Sequence, residues 1–113
     1  MRLLLDGAGL PEGPNLTNTT IGIVATNATL TREEANFLAQ VSHDGLALTI
    51  RPCHTIRDGD TMFVMATCQD PRQGDITALG AAAVEVTAQA ILRAVRTATG
   101  LGGIPSVQEL GRG

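Results

Sequence analysis

The chain has 113 residues, 43% of them hydrophobic and 17% charged, with a formal net charge of −3 from 8 basic and 11 acidic side chains. Its length is that of one domain, which buries about two-thirds of its unfolded surface, and it is too apolar for a disordered chain. No basic stripe is present, and Phe37 and Phe63 are the only aromatics besides histidine, so nucleic acid is excluded as an expected partner.

Thirteen glycines and long alanine runs point to a core made by close backbone approach. No uninterrupted apolar run approaches the roughly 18 residues of a membrane span, so no membrane partner is expected. Met1-Arg2-Leu3-Leu4-Leu5-Asp6 is too short for a secretory signal, and the expected location is cytoplasmic. Two cysteines, Cys53 and Cys68, are too few for a disulfide scaffold. With His43 and His54 they match no finger or ribbon spacing. Neither a metal nor an organic cofactor is therefore expected, and both thiols read as reduced, mostly buried and inert.

In chain order, residues 1–18 hold Gly7, Gly9, Pro11, Gly13 and Pro14, which break any helix or central strand. They read as a linker or as the tail of something else. Thr20 to Thr26 is β-branched and apolar and reads as a buried strand, with Gly22 marking the approach of another backbone. Thr31-Arg32-Glu33-Glu34 is a capping box. It opens a helix running to about Leu48, with Ala35, Leu38, Val41 or Ser42, and Gly45 or Leu46 on one face.

Arg51-Pro52 ends that helix, and Asp58-Gly59 is a turn dipeptide. Thr61 to Thr67 reads as a second buried strand. The longest helix starts at Asp75 or Thr77. Its expected apolar stripe is Ile76, Leu79, Ala83, Val86, Ala90 and Val95, and Gly100 is its expected C′ residue. At most one further turn is expected, near Val107–Leu110. The skeleton is α+β, in the order strand, helix, strand, helix. Both strands are apolar on both faces, and two strands cannot cover themselves. A second chain, a copy of the protein or another part of it must pack on them.

The blocks Asn18-Thr19-Thr20-Ile21-Gly22-Ile23-Val24-Ala25-Thr26-Asn27, Ala39-Gln40-Val41-Ser42-His43-Asp44-Gly45-Leu46-Ala47, Ile50-Arg51-Pro52-Cys53-His54-Thr55 and Asp58-Gly59-Asp60-Thr61-Met62-Phe63 resemble the β-subunit of the L-aminopeptidase/D-esterase family. Thr77-Ala78-Leu79-Gly80-Ala81 and the end near Gly103-Ile104-Pro105 agree with it. That family includes the DmpA-type aminopeptidases, β-peptidyl aminopeptidases and nylon-oligomer hydrolases. The resemblance covers about residues 15–113 and implies that residues 19–113 are a β-subunit-like αβ domain. This domain would be half of an αββα sandwich of the N-terminal-nucleophile type.

The resemblance further implies a precursor that cuts itself between Asn18 and Thr19, with Thr19 as nucleophile. It implies that Asp58 and Asp60 hold the threonine hydroxyl and amine. It also implies that a Lys or Tyr and an oxyanion-hole Asn come from an N-terminal (α) portion, and that the protein is a homo-oligomer.

The chemistry has its own logic. A threonine hydroxyl is a poor nucleophile, but a free α-amine on the same residue has a reference pKa of roughly 7.7–8.0 and can take the hydroxyl proton. Base and nucleophile then share one residue. Two carboxylates beside that ammonium favour its charged form, while their burial and mutual repulsion oppose it. His43 reads as a helix-end or packing histidine, and Arg51 as structural. The expected function is amide or ester hydrolysis on small peptides by a fragment or subunit of such an enzyme, weak or inactive alone. The alternatives are a non-catalytic module that assembles with itself or a missing partner, and an ornithine acetyltransferase-like acyl transfer.

Overall fold

The computed structural model describes residues 18–111. The segment read as a linker lies outside the described residues, apart from Asn18. The elements are β1 (Ile21–Thr26), α1 (Arg32–Thr49), β2 (Thr61–Ala66), α2 (Ile76–Thr97) and a single turn α3 (Val107–Leu110). The order is the expected strand, helix, strand, helix, and the class is α+β. β1 and β2 pair in parallel, with Ile21 opposite Thr61 and Thr26 opposite Ala66. Parallel neighbours need a crossover connection, which α1 supplies.

Local chemistry sets the helix boundaries. The Thr31 hydroxyl accepts from the Glu34 amide at 3.2 Å, and Glu34 Oε1 accepts from the Thr31 amide at 3.0 Å, closing the expected capping box. Asp75 caps α2 by accepting from the Thr77 amide at 2.9 Å. The exit of α2 differs from expectation. The chain leaves the helix at Ala98 in an extended conformation, and Gly100 is not a left-handed C′ residue. Positive φ falls later, at Gly102 (62°) and Gly103 (80°), where Leu101 and Ile104 exchange backbone hydrogen bonds. Space at Gly100 is tight: a Cβ there would lie 2.5 Å from Glu109 Oε2, the oxygen that accepts from the Ser106 amide in the cap of α3.

α1 packs on α2 through small residues. Leu38, Ser42, Gly45 and Leu46 are buried on α1, and Gly80, Ala83 and Thr87 on α2. The α1 face is the one expected. On α2 the expected stripe is only partly right: Ala83 is buried, but Val86 and Val95 remain half exposed. The side that docks is the narrow one, because it lets the backbones close. A Cβ at Gly45 would meet Thr87 Cβ at 2.7 Å and the Val84 carbonyl oxygen at 2.8 Å.

Successive strand residues face opposite sides. Gly22, Val24, Met62 and Val64 point inward, with Met62 buried. A Cβ on Gly22 would lie 2.5 Å from Met62 Sδ. The other face is bare: Ile21 is 73% exposed, Ile23 64%, Phe63 54% and Met65 51%. An open apolar groove of about 660 Å³ also runs between β1 and α2, past Leu46, Val86, Ala90 and Ala94.

α2, at 22 residues, is also long and apolar enough by composition to cross a membrane, contrary to the expectation from uninterrupted runs. Its apolar character is spread over alanines and β-branched residues around Glu85. One side of it is docked on α1.

Gly45→Val is expected to lower the unfolding free energy by about 1–3 kcal/mol, because the contacts it enters include backbone. Urea denaturation of the purified protein measures this.

Candidate functional site

Parallel pairing brings the starts of β1 and β2 to the same end of the sheet. Asn18 and Thr19 lead into β1, and Asp58-Gly59-Asp60 leads into β2. The ladder continues past both strand starts. The Gly59 amide donates to the Asn18 carbonyl at 2.9 Å, the Thr61 amide donates to the Thr20 carbonyl at 2.9 Å, and Asn18 and Asp58 form a parallel bridge. The residues singled out from the sequence, 39 to 42 positions apart, therefore sit on adjacent backbones.

Gly59 lies directly against the Thr19 side chain. A Cβ on Gly59 would lie 2.9 Å from Thr19 Oγ1 and 3.9 Å from Thr19 Cβ. The hydroxyl is thus seated over the glycine, in space that no larger residue leaves free.

The two aspartates have separate partners. Asp60 Oδ1 accepts from the Thr20 amide at 3.0 Å, and its side chain is only 8% exposed. Asp58 Oδ2 accepts from the Thr55 amide at 2.9 Å and from the Thr55 hydroxyl at 3.0 Å, while the Asp58 amide donates to the Thr55 carbonyl at 3.0 Å. Asp58 closes the 55–58 turn, and Asp60 ties that loop to the start of β1. Among the described residues neither carboxylate hydrogen-bonds Thr19 itself. The structure is that of the continuous chain, in which the Thr19 nitrogen is a peptide nitrogen linked to Asn18.

The loop also brings in two residues that spacing did not single out. Asp60 Oδ2 lies 3.5 Å from Cys53 Sγ and 3.6 Å from His54 Nδ1. Cys53 Sγ and His54 Nδ1 are 3.5 Å apart. Burial, then the hydrogen bond and charge of Asp60, push the Cys53 thiol above its ordinary pKa. His54 adopts a left-handed backbone (φ 58°), uncommon outside glycine, and its Nε2 lies 3.3 Å from the His43 carbonyl oxygen.

The adjacency of Cys53 and His54, followed by Asp60 beyond a turn, was a readable signal, but it needed the loop to fold back on itself. His43 packs beside His54, with ring centroids 5.4 Å apart. Arg51 is exposed and has no ion-pair partner among the described residues. Cys68 is exposed at the far end of β2.

The family model for peptidase family S58 matches residues 5–108. The chain belongs to peptidase family S58. It is 45% identical over 102 residues to an uncharacterized aminopeptidase of Mycobacterium leprae (strain TN), covering 79% of this chain and 28% of the relative. It is 40% identical over 106 residues to an uncharacterized aminopeptidase of Mycobacterium tuberculosis (strain ATCC 25618 / H37Rv), covering 82% of this chain and 31% of that protein. The 6-aminohexanoate-oligomer endohydrolase of Kocuria sp. (strain KY2) is 35% identical over 98 residues, covering 77% of this chain and 28% of its own length. The S58 chain thus spans less than a third of the length of these relatives.

The raised thiol pKa leaves less thiolate at Cys53 at any given pH, and thiolate is the reactive form. Iodoacetamide at about pH 8 is therefore expected to label Cys68 well before Cys53. A mass-spectrometric time course on the unfolded and native protein checks the order.

Proposed function

We propose that the whole protein is a self-processing amidohydrolase or aminopeptidase whose nucleophile is Thr19. The observation that carries this is the seating of the Thr19 hydroxyl over Gly59 in the Asp58-Gly59-Asp60 segment, in a chain of a peptidase family. Relatives named as aminopeptidases and as an oligomer endohydrolase favour small peptides, or amino-acid amides and esters, as substrates.

In this reading the Thr19 hydroxyl first attacks the Asn18 carbonyl. The peptide nitrogen takes up a proton as the C–N bond breaks, and water hydrolyses the resulting ester. The freed α-amine then serves as base. It accepts the hydroxyl proton as Oγ1 attacks the substrate carbonyl, and it returns that proton to the departing amine. Water releases the acyl group from Oγ1. Asp60 holds the Thr20 amide at 3.0 Å and so keeps the residue after the nucleophile in place. Asp58 braces the loop through Thr55. Once Asn18 is gone, the Gly59 amide loses its carbonyl partner and becomes a free donor beside Thr19.

The short span relative to the relatives supports a further portion of the protein that supplies the remaining catalytic groups. The bare sheet face of Ile21, Ile23, Phe63 and Met65 is the surface we assign to it, since exposed apolar patches of this kind mark interaction sites.

Thr19→Ala in the whole protein is expected to leave one uncleaved polypeptide by mass and to lower hydrolysis of amino-acid anilides by about 10⁴-fold or more. An unchanged rate would reject Thr19 as nucleophile. Gly59→Ala, which places a methyl group 2.9 Å from the Thr19 hydroxyl, is expected to reduce kcat by about 10²-fold through misplacement of the nucleophile while the protein stays folded by circular dichroism.

A further inference from the structure

We infer that Cys53, His54 and Asp60 form a binding site for a divalent transition-metal ion, Zn²⁺ by the chemistry of the donors, beside Thr19.

The first support is distance. Zn–S bonds of about 2.3 Å and Zn–N and Zn–O bonds of about 2.0–2.2 Å, at tetrahedral angles, put the donor atoms roughly 3.3–3.6 Å apart. The three separations here are 3.5 Å for Sγ to Nδ1, 3.5 Å for Sγ to Oδ2 and 3.6 Å for Nδ1 to Oδ2. The three atoms already occupy one face of a tetrahedron of the right size.

The second support is the tautomer of His54. Its Nε2 lies 3.3 Å from the His43 carbonyl oxygen. A carbonyl can only accept, so Nε2 carries the hydrogen, and in the neutral ring Nδ1 presents its lone pair. That lone pair faces the Asp60 carboxylate and the Cys53 sulfur. Nδ1, Sγ and Oδ2 then converge on one small space, which either a second ring proton paired with Asp60 or a metal ion would fill. A ligating histidine whose other nitrogen donates to a backbone carbonyl is the usual support of a metal site.

Thiolate, imidazole and carboxylate together suit Zn²⁺ better than Mg²⁺ or Ca²⁺, which take oxygen donors. On binding, the Cys53 thiol proton passes to solvent, a metal–sulfur bond forms, and the ion gives up three of its waters. His54 is 41% exposed, so the fourth position opens to solvent and keeps a water. Asp60 Oδ1 stays on the Thr20 amide while Oδ2 takes the metal. The ion therefore clamps the 53–60 loop to the start of β1.

The test titrates the purified whole protein with Co²⁺. One equivalent is expected to give thiolate-to-cobalt charge-transfer absorption, which Zn²⁺ abolishes by displacement. Cys53→Ser should remove the band, His54→Gln should weaken affinity at least ~10-fold, and Cys68→Ser should leave both unchanged. In the wild-type protein, one equivalent of Zn²⁺ should slow alkylation of Cys53 at least ~10-fold without protecting Cys68. Absence of the band in folded protein, its survival in Cys53→Ser, or alkylation of Cys53 at the same rate with and without Zn²⁺ would overturn the site. The alkylation arm needs no variant, so it decides even where a substitution disturbs folding.

Discussion

Parallel pairing of β1 with β2 is the constraint on which the rest depends. It requires the chain to return to the same sheet end before each strand begins. Asn18-Thr19 and Asp58-Gly59-Asp60, far apart in sequence, therefore meet there. Two further backbone bonds, Gly59 to Asn18 and Thr61 to Thr20, extend the ladder and fix the relative height of the two segments. An antiparallel pair would place the Asp-Gly-Asp segment at the opposite end of the sheet from Thr19. The candidate nucleophile and its carboxylate neighbours are thus a consequence of strand direction before they are a consequence of any side-chain contact.

Glycine makes two close approaches possible, for different reasons. At Gly45 the absent Cβ lets α1 and α2 come together against Thr87 and the Val84 carbonyl, and this helix pair backs the crossover that holds the strands parallel. At Gly59 the absent Cβ leaves room for the Thr19 hydroxyl. The first is a packing requirement and the second a requirement of the site. A core of Ala28, Leu38, Leu46, Met62 and Ala83, with both phenylalanines left exposed, depends on such small-residue contacts, because it has little bulk with which to fill a wider gap.

The same fold leaves apolar surface uncovered. One sheet face and the groove along β1 carry Ile21, Ile23, Phe63, Met65, Val86 and Ala90 in contact with solvent. A two-stranded sheet open on one side is marginal in water. Association at that face would stabilise the strands and hold the site at their starts together. Folding of the domain and completion of the site would then be one event.

The sequence determined the local features: the Thr31 capping box, the strand–helix–strand–helix order and the buried face of α1; it also singled out Thr19, Asp58 and Asp60 as candidates for the chemistry. These rest on short-range rules of spacing, capping and propensity, or on motif resemblance, and none needs knowledge of a distant partner. Tertiary structure decided what depends on the path of the chain. It selected the small-residue side of α2 for docking and left Val86 and Val95 half exposed, because backbone approach outweighs side-chain hydrophobicity where glycine faces threonine. It gave Gly100 a steric role beside Glu109 instead of a left-handed cap. It split the two aspartates, sending Asp58 to Thr55 and Asp60 to the Thr20 amide. It also folded Cys53 and His54, which by spacing belong to no recognisable ligand set, onto Asp60. Sequence separation does not report such contacts, because loop closure and strand register set the distances between those atoms.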